Sequence, residues 1–511
     1  MSVSANSGRR ISISRLLILL VFVAGIILAS TKWAMAQILD SGENKTTVWF
    51  APYVDVTLTP QLHFEDASEQ PATTVVLGFI VADSVNVCEP SWGTYYTLDA
   101  ASRALDMDRR VVRLRERGGD AIVSFGGAVN NELATVCEDP DKLTAAYQTV
   151  IDRYALKVID FDIEGASLGN EAANARRATV IKRLQEANAG LKVWLTVPVA
   201  PHGMTRESIA LIDQALATGV EFTGFNVMTM DYGGSKESTQ SMSEASIAAL
   251  TATWQQLDGA YVRAGTPLTE AQIWSMIGAT PMIGQNDVAG EVFSLGDADK
   301  LMTFARTVAL GRISMWSANR DVACGSVVEG AGVSNTCSGV SQEPQEFARI
   351  FAGHPPKTPD KPKVTGTETR IGGLARDDPR TSPYPLWRAA KTYTEGNKVV
   401  WGGRVYQAKW FTKGNQPDAP IKDAWETPWR YLGPVLDSDR DAVRADAKVV
   451  DGTRPKWQAE VVYIAGDEVE FELHAFRAKW WTQGDLPQVD PDQPYDNPWE
   501  YLGEVKPPED K

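Results

Sequence analysis

Histidine is scarce: His63, His202, His354 and His474 are the only four in 511 residues, and they lie far apart. Cysteine is equally scarce. Cys88, Cys137, Cys324 and Cys337 are spaced unlike any zinc-ligand set, so neither a metal nor another cofactor is expected. No glycine-rich phosphate loop follows the first apolar strand pattern, which argues against a nucleotide-binding sheet. Positive charge is in deficit, with 50 Lys and Arg against 65 Asp and Glu, a net charge of −15. Such a surface repels phosphate backbones and anionic membranes, so no nucleic-acid partner is expected. Long apolar runs are missing too. The one near the amino end covers 16–29, about 21 Å as a helix against the ~30 Å of a bilayer core.

That run follows Arg9, Arg10 and Arg15 and precedes Ala34-Met35-Ala36-Gln37, the order of a secretory signal with cleavage after Ala36. An uncleaved membrane anchor is the alternative. Either way the remainder is expected outside the cell. In an exported chain an even set of cysteines reads as disulfides. Cys324 and Cys337 are near neighbours and are expected to pair, leaving Cys88 with Cys137.

Hydrophobic residues make up 43% and charged residues 23%, the composition of folded domains. The length corresponds to roughly three. Between 44 and 353, apolar runs at 47–54, 74–81, 120–125, 158–163, 192–197, 224–230, 272–277 and 312–316 alternate with helical patterns, among them 102–117, 171–189, 206–218 and 245–263. Eight strands separated by helices predict a (β/α)8 TIM barrel, with an open doubly wound sheet as the alternative. Residues 354–383 are rich in Pro, Lys, Thr and Asp without periodicity and read as a linker.

A repeat offset by 70 residues follows. Trp387, Tyr393, Gly396 and Val399 match Trp457, Tyr463, Gly466 and Val469. Ala408-Lys409-Trp410-Phe411-Thr412 matches Ala478-Lys479-Trp480-Trp481-Thr482, and Pro428-Trp429 matches Pro498-Trp499. Two small all-β modules are expected at 384–433 and 454–503, separated by a spacer at 434–453. Nine of the chain's 16 Trp fall between Trp387 and Trp499. Small domains need such rings for a core. In each adjacent pair, strand alternation would bury one ring and expose the other.

The chemistry concentrates in Val158-Ile159-Asp160-Phe161-Asp162-Ile163-Glu164. Side chains alternate along a strand, so Ile159, Phe161 and Ile163 face the helices while Asp160, Asp162 and Glu164 face the barrel lumen. Lumens are normally apolar. Unused carboxyls there would be destabilising. Asp162 and Glu164 stand roughly 6–7 Å apart along the strand and can serve one site. Crowding separates their pKa values, and Glu164, nearest the mouth, is the expected general acid.

This pattern resembles glycoside hydrolase family 18, the chitinases. Asp160, Asp162 and Glu164 match the family's Asp-x-Asp-x-Glu strand, and Ser124-Phe125-Gly126-Gly127 its third-strand motif. Met228-Thr229-Met230-Asp231 matches the sixth-strand motif and Trp316 the eighth-strand tryptophan. Two positions depart. Lys157-Val158 stands where the family often has Asp-Gly, and Met230 where it often has Tyr. The resemblance implies retaining hydrolysis of β-1,4-linked N-acetylglucosamine, in which the sugar's own acetamido oxygen attacks the anomeric carbon. Glu164 would be acid and base, Asp162 would orient the acetamido group, and Asp160 would tune Asp162. Ser124, Gly126, Met228, Asp231, Tyr232 and Trp316 would touch the sugar, Tyr232 standing in at the face of Met230.

Each tail repeat resembles carbohydrate-binding module family 5/12, with Trp410, Phe411, Trp480 and Trp481 as the rings that would meet chitin. Two modules on a flexible linker would gain by effective concentration. Only 34 residues span 278–311, too few for an extra α+β insertion, which predicts an open cleft and internal cutting. The expected partners are chitin and its oligosaccharides, with a monomeric chain and no obligate protein partner. A catalytically silent chitin-binding lectin and an endo-β-N-acetylglucosaminidase acting on N-glycans are the alternatives.

Overall fold

The computed structural model describes residues 48–325, 333–353, 377, 382–419, 421, 426–439, 449–450, 454–459, 461–471, 474–479, 482–487 and 498–505. The expected signal or anchor at 1–36 lies outside them, as do Trp480, Trp481 and most of the linker. Among the described residues no helix is long and apolar enough to cross a membrane.

Eight parallel staves form the barrel. The second to fifth are Thr74–Ala82, Asp120–Gly126, Val158–Asp162 and Lys192–Ala200. The sixth to eighth are Phe222–Met228, Ile277–Thr280 and Arg312–Ile313. The first stave closes the ring because it is split. Trp49–Phe50 pairs with the eighth stave and Tyr53–Asp55 with the second. Alternation on the fourth stave is as expected. Phe161 turns outward, 5.3 Å from the Phe125 ring and 5.3 Å from Tyr147 on the Pro140–Arg153 helix. Both predicted disulfides are present, Cys88–Cys137 and Cys324–Cys337.

The seventh stave is displaced from its expected position. The apolar run 272–277 predicts strand, but a helix runs Glu270–Met276 and the strand starts at Ile277. The reason is local: the Thr269 side chain accepts from the Gln272 amide, and the Gln272 side chain accepts from the Thr269 amide. Between the seventh and eighth staves there is a short hairpin, Gly284–Gln285 with Val292–Phe293, and the helix Leu295–Val308.

Each tail repeat is a three-stranded antiparallel sheet with a two-stranded ribbon. In the first repeat Lys398–Trp401, Arg404–Ala408 and Trp429–Pro434 form the sheet. In the second, Glu468–Phe471, His474–Ala478 and Trp499–Val505 do so, and Val449–Val450, ahead of the repeat, adds a fourth strand parallel to Trp499–Val505. Tyr393, Val399, Tyr406, Ala408 and Trp429 fill the first core, and Tyr463, Val469, Phe476, Ala478 and Trp499 the second.

Candidate active site

The lumen is polar at the level of the fourth stave. Asp160 is fully buried and is held from three other staves. Tyr53 Oη and Ser124 Oγ each donate to its Oδ2 at 2.7 Å, and Thr196 Oγ1 donates to Oδ1 at 2.8 Å. Asn226, from the sixth stave, donates to Thr196 Oγ1 at 3.1 Å. Arg312, fully buried at the start of the eighth stave, brings Nη1 to 3.8 Å from Asp160 Oδ1. Its guanidinium lies 5.2 Å from the Trp194 ring centroid and 5.7 Å from those of Trp49 and Tyr53. A cation there offsets charge that the dry lumen would otherwise leave bare.

Asp162 comes next toward the mouth and is also buried, and its Oδ1 has no hydrogen-bond partner among the described residues. Burial, reinforced by Glu164 and then Asp160, pushes its carboxyl well above the usual range. Glu164 follows at the stave's end, half-buried. Burial and the neighbouring Asp231 carboxylate push it up to about 7. Such a carboxyl holds a proton near neutrality, as a general acid must.

Asp231 is placed by a break in the sixth stave. Its φ is 50°, and its Oδ1 accepts from the Asp287 amide at 2.8 Å and the Val288 amide at 3.2 Å. Burial pushes its carboxyl up while those amides oppose the shift. Trp316 stands half-buried beyond the eighth stave and stacks on Phe79, centroids 5.6 Å apart at 27°. The Trp316 ring also lies 6.1 Å from that of Tyr53, which ties it to the acidic ladder. Met228 lies half-buried at the end of the sixth stave.

Three expected sugar contacts sit elsewhere. Ser124 is fully buried, and its hydroxyl is used on Asp160. Gly126 has φ 110°, and a Cβ there would stand 2.1 Å from the Asp162 carbonyl oxygen, so this glycine permits close packing of two staves. Tyr232 is buried, its hydroxyl 3.2 Å from Ser246 on the Met242–Arg263 helix outside the barrel. Strand alternation does not carry past Asp231, which is why it does not share the face of Met230. The sequence pattern alone does not mark Tyr53, Thr196, Asn226, Arg312 or Phe79 as site residues. The available signal was a polar residue at an inward position of an otherwise apolar stave.

In the first module the aromatic pair also departs from expectation. Trp410 is 44% and Phe411 68% exposed, so both rings face solvent. They follow the Arg404–Ala408 strand instead of lying in it, and the core is already filled by Tyr393 and Trp429, with Trp387 against them.

Comparison with known proteins gives a consistent picture. The catalytic domain of a chitinase from Pyrococcus furiosus superposes with TM-score 0.52 at 30% identity, covering 60% of this chain and 94% of that one. The chain belongs to glycoside hydrolase family 18. Carbohydrate-binding module family 5/12 matches residues 386–430 and 456–500. A probable bifunctional chitinase/lysozyme of Escherichia coli K12 is 35% identical over 318 residues, 59% of this chain and 34% of that protein. Endochitinase 11 of Metarhizium anisopliae is 35% identical over 285 residues, 53% of this chain and 52% of that protein. The chain thus spans about half or less of these curated relatives. Within the family 18 barrel, the buried Asp160 and the raised Asp162 and Glu164 make one column opening beside Trp316 and Asp231.

Proposed function

We propose that this protein is an exported chitinase, cleaving β-1,4-linked N-acetylglucosamine polymers with retention, and that its tail modules bring it to insoluble chitin. The observation that carries the reading is the column of carboxyls. Asp160 is fixed by three donors, Asp162 keeps an oxygen with no partner among the described residues, and Glu164 is raised to about 7 at the mouth. Glu164 protonates the leaving oxygen and then takes a proton from the incoming water. Asp162 accepts the acetamido N–H with the Oδ1 that has no partner among the described residues, and so holds the acetamido oxygen toward the anomeric carbon. Trp316 gives the sugar an apolar floor, and Asp231 lies within electrostatic reach of Glu164. The short connection between the seventh and eighth staves supports an open cleft and cutting within chains.

The test is a timed product profile on chitin hexamer and colloidal chitin. Wild type releases reducing ends with mixed products at early times. Glu164→Gln loses activity by at least ~1000-fold while still binding chitin powder. Dimer as the sole early product would contradict internal cutting. Release of N-glycans from a glycoprotein with inert chitin would favour the endo-β-N-acetylglucosaminidase, and binding without any cleavage would favour the lectin.

A further inference from the structure

The first module is seated on the barrel. Its edge strand Trp429–Pro434 lies along the Met107–Glu116 helix, which precedes the third stave. Asp106, at the start of that helix, accepts from Lys398 Nζ at 2.9 Å and Tyr384 Oη at 2.7 Å. Arg109 donates to the Pro434 carbonyl at 2.9 Å and to Asp439. Asp106 and Arg109 are 2% and 3% exposed, which makes this a dry ionic cluster. Gly433 lies so flat on it that a Cβ would stand 2.8 Å from the Arg109 carbonyl oxygen. Farther along, the Arg113 and Arg404 guanidiniums lie over the Tyr431 ring at 4.4 and 5.2 Å from its centroid, the Tyr431 hydroxyl is 3.2 Å from Glu116, and Arg430 pairs with Glu69 at 2.5 Å.

The repeat itself identifies which module this seat accepts. At an offset of 70 residues, Lys398 corresponds to Glu468, Arg430 to Glu500 and Tyr384 to Arg454. The second module therefore carries acid where the barrel's Asp106 and Glu69 require a cation. Its Glu468 pairs with Arg454 and Arg477 inside the module.

The seat also fixes a direction. The Met107–Glu116 helix runs from the mouth toward the amino ends of the staves, because the third stave begins at Asp120. Asp106 and Arg109 mark its mouth end. Arg117 caps the far end, donating to the carbonyls of Phe64, Gln70 and Ala72, just ahead of the second stave. Glu69 belongs to that far end. The Lys409 backbone amide donates to the Pro428 carbonyl at 2.7 Å, two residues before Arg430; burial and then Arg430 lower the pKa of its ammonium, while Asp66, beside Glu69's loop, opposes them. Trp410 and Phe411, next in sequence and exposed, therefore sit on the side opposite the catalytic carboxyls.

We infer that the two modules are not interchangeable: the first is a fixed part of the catalytic body, and its aromatic pair grips a chitin chain other than the one lying in the cleft. The inference rests on the chitinase reading for its ligand but not for its geometry, and the tests separate the two. The described cysteines are all in disulfides, so cysteines introduced at exposed Lys413 and Glu237 can carry spin labels. A single narrow label–label distance is expected in the full chain. Lys398→Glu with Arg430→Glu, the second module's residues, should broaden it, and adding Glu69→Arg should narrow it again. A broad distribution in the otherwise unaltered protein, or no response to charge reversal, overturns the docking. For the direction, Trp410→Ala with Phe411→Ala should lower the rate on crystalline chitin about tenfold more than on a soluble chitin polymer. Equal falls on both would mean that one chain runs through cleft and module. If the wild-type protein cleaves neither substrate, the chitinase reading fails while the label distances still judge the docking.

Discussion

Arg312 balances the acidic ladder from below. It is fully buried, its Nε and Nη1 have no hydrogen-bond partner among the described residues, and its charge opposes the upward shift that burial, Glu164 and Asp160 impose on Asp162. Arg312→Met should destabilise the barrel by about 3 kcal/mol, since it leaves Asp160 without its counter-charge. Arg312→Lys should restore part of this, keeping the charge but losing the planar stack. Urea midpoints measure both, and an unchanged midpoint in Arg312→Met would remove the counter-charge role. Asp231 acts on Glu164 in the opposite sense. Its negative charge helps raise Glu164 to about 7, so the acid ionises, and kcat/KM falls, as pH climbs through that value. Asp231→Asn keeps an acceptor for the Asp287 and Val288 amides but removes the charge. The alkaline limb of the kcat/KM profile should then move to lower pH, and a limb that stays or moves up contradicts the assignment. Asp160, Asp162 and Glu164 were legible in the sequence because strand alternation sends every second residue to one face. Tyr53, Thr196 and Arg312 were not, because a lone polar residue on a stave does not say which other stave it meets. Tyr232 was misplaced because the backbone at Asp231 leaves the strand.

At the scale of elements, most staves stand where their apolar runs predicted, since parallel strands covered on both faces read as continuous hydrophobic segments. The seventh is the exception, and its cause is four residues long. Thr269 and Gln272 form a reciprocal cap that starts a helix at Glu270, and the apolar residues Ile273 and Trp274 belong to that helix and not to the strand. An amphipathic turn and a short buried strand have the same composition over six residues, so capping chemistry had to decide. Thr269→Ala should destabilise the barrel by about 1 kcal/mol, read as a lower urea midpoint with an unaltered slope. A neutral substitution would mean that stave packing alone sets the boundary. The module aromatics show the same limit. Alternation failed at Trp410 and Phe411 because the strand ends at Ala408, before the pair begins.

For the whole molecule, the internal repeat made two modules legible but hid their inequality, which lies in the charges of Lys398 and Arg430 against Glu468 and Glu500. A docked module stabilises what it covers. Tyr384, Lys398, Pro434 and Asp439 shield Asp106 and Arg109 from water, and Tyr431 covers Arg113. Removing residues 384–511 exposes that cluster, where the remaining Asp106–Arg109 pair becomes a solvent-screened contact of small worth. Removing only 454–511 leaves the cluster closed. Calorimetry on the two truncations should therefore differ. The longer deletion lowers the barrel's Tm, by about 2–4 °C for each kcal/mol of lost docking, whereas the shorter one leaves it in place. Both should reduce activity on crystalline chitin more than on soluble oligomers, the longer deletion more severely. A barrel transition that ignores the loss of the first module would mean that the seat contributes no stability, and equal losses on crystalline and soluble substrates would mean that the modules serve some purpose other than holding an insoluble chain.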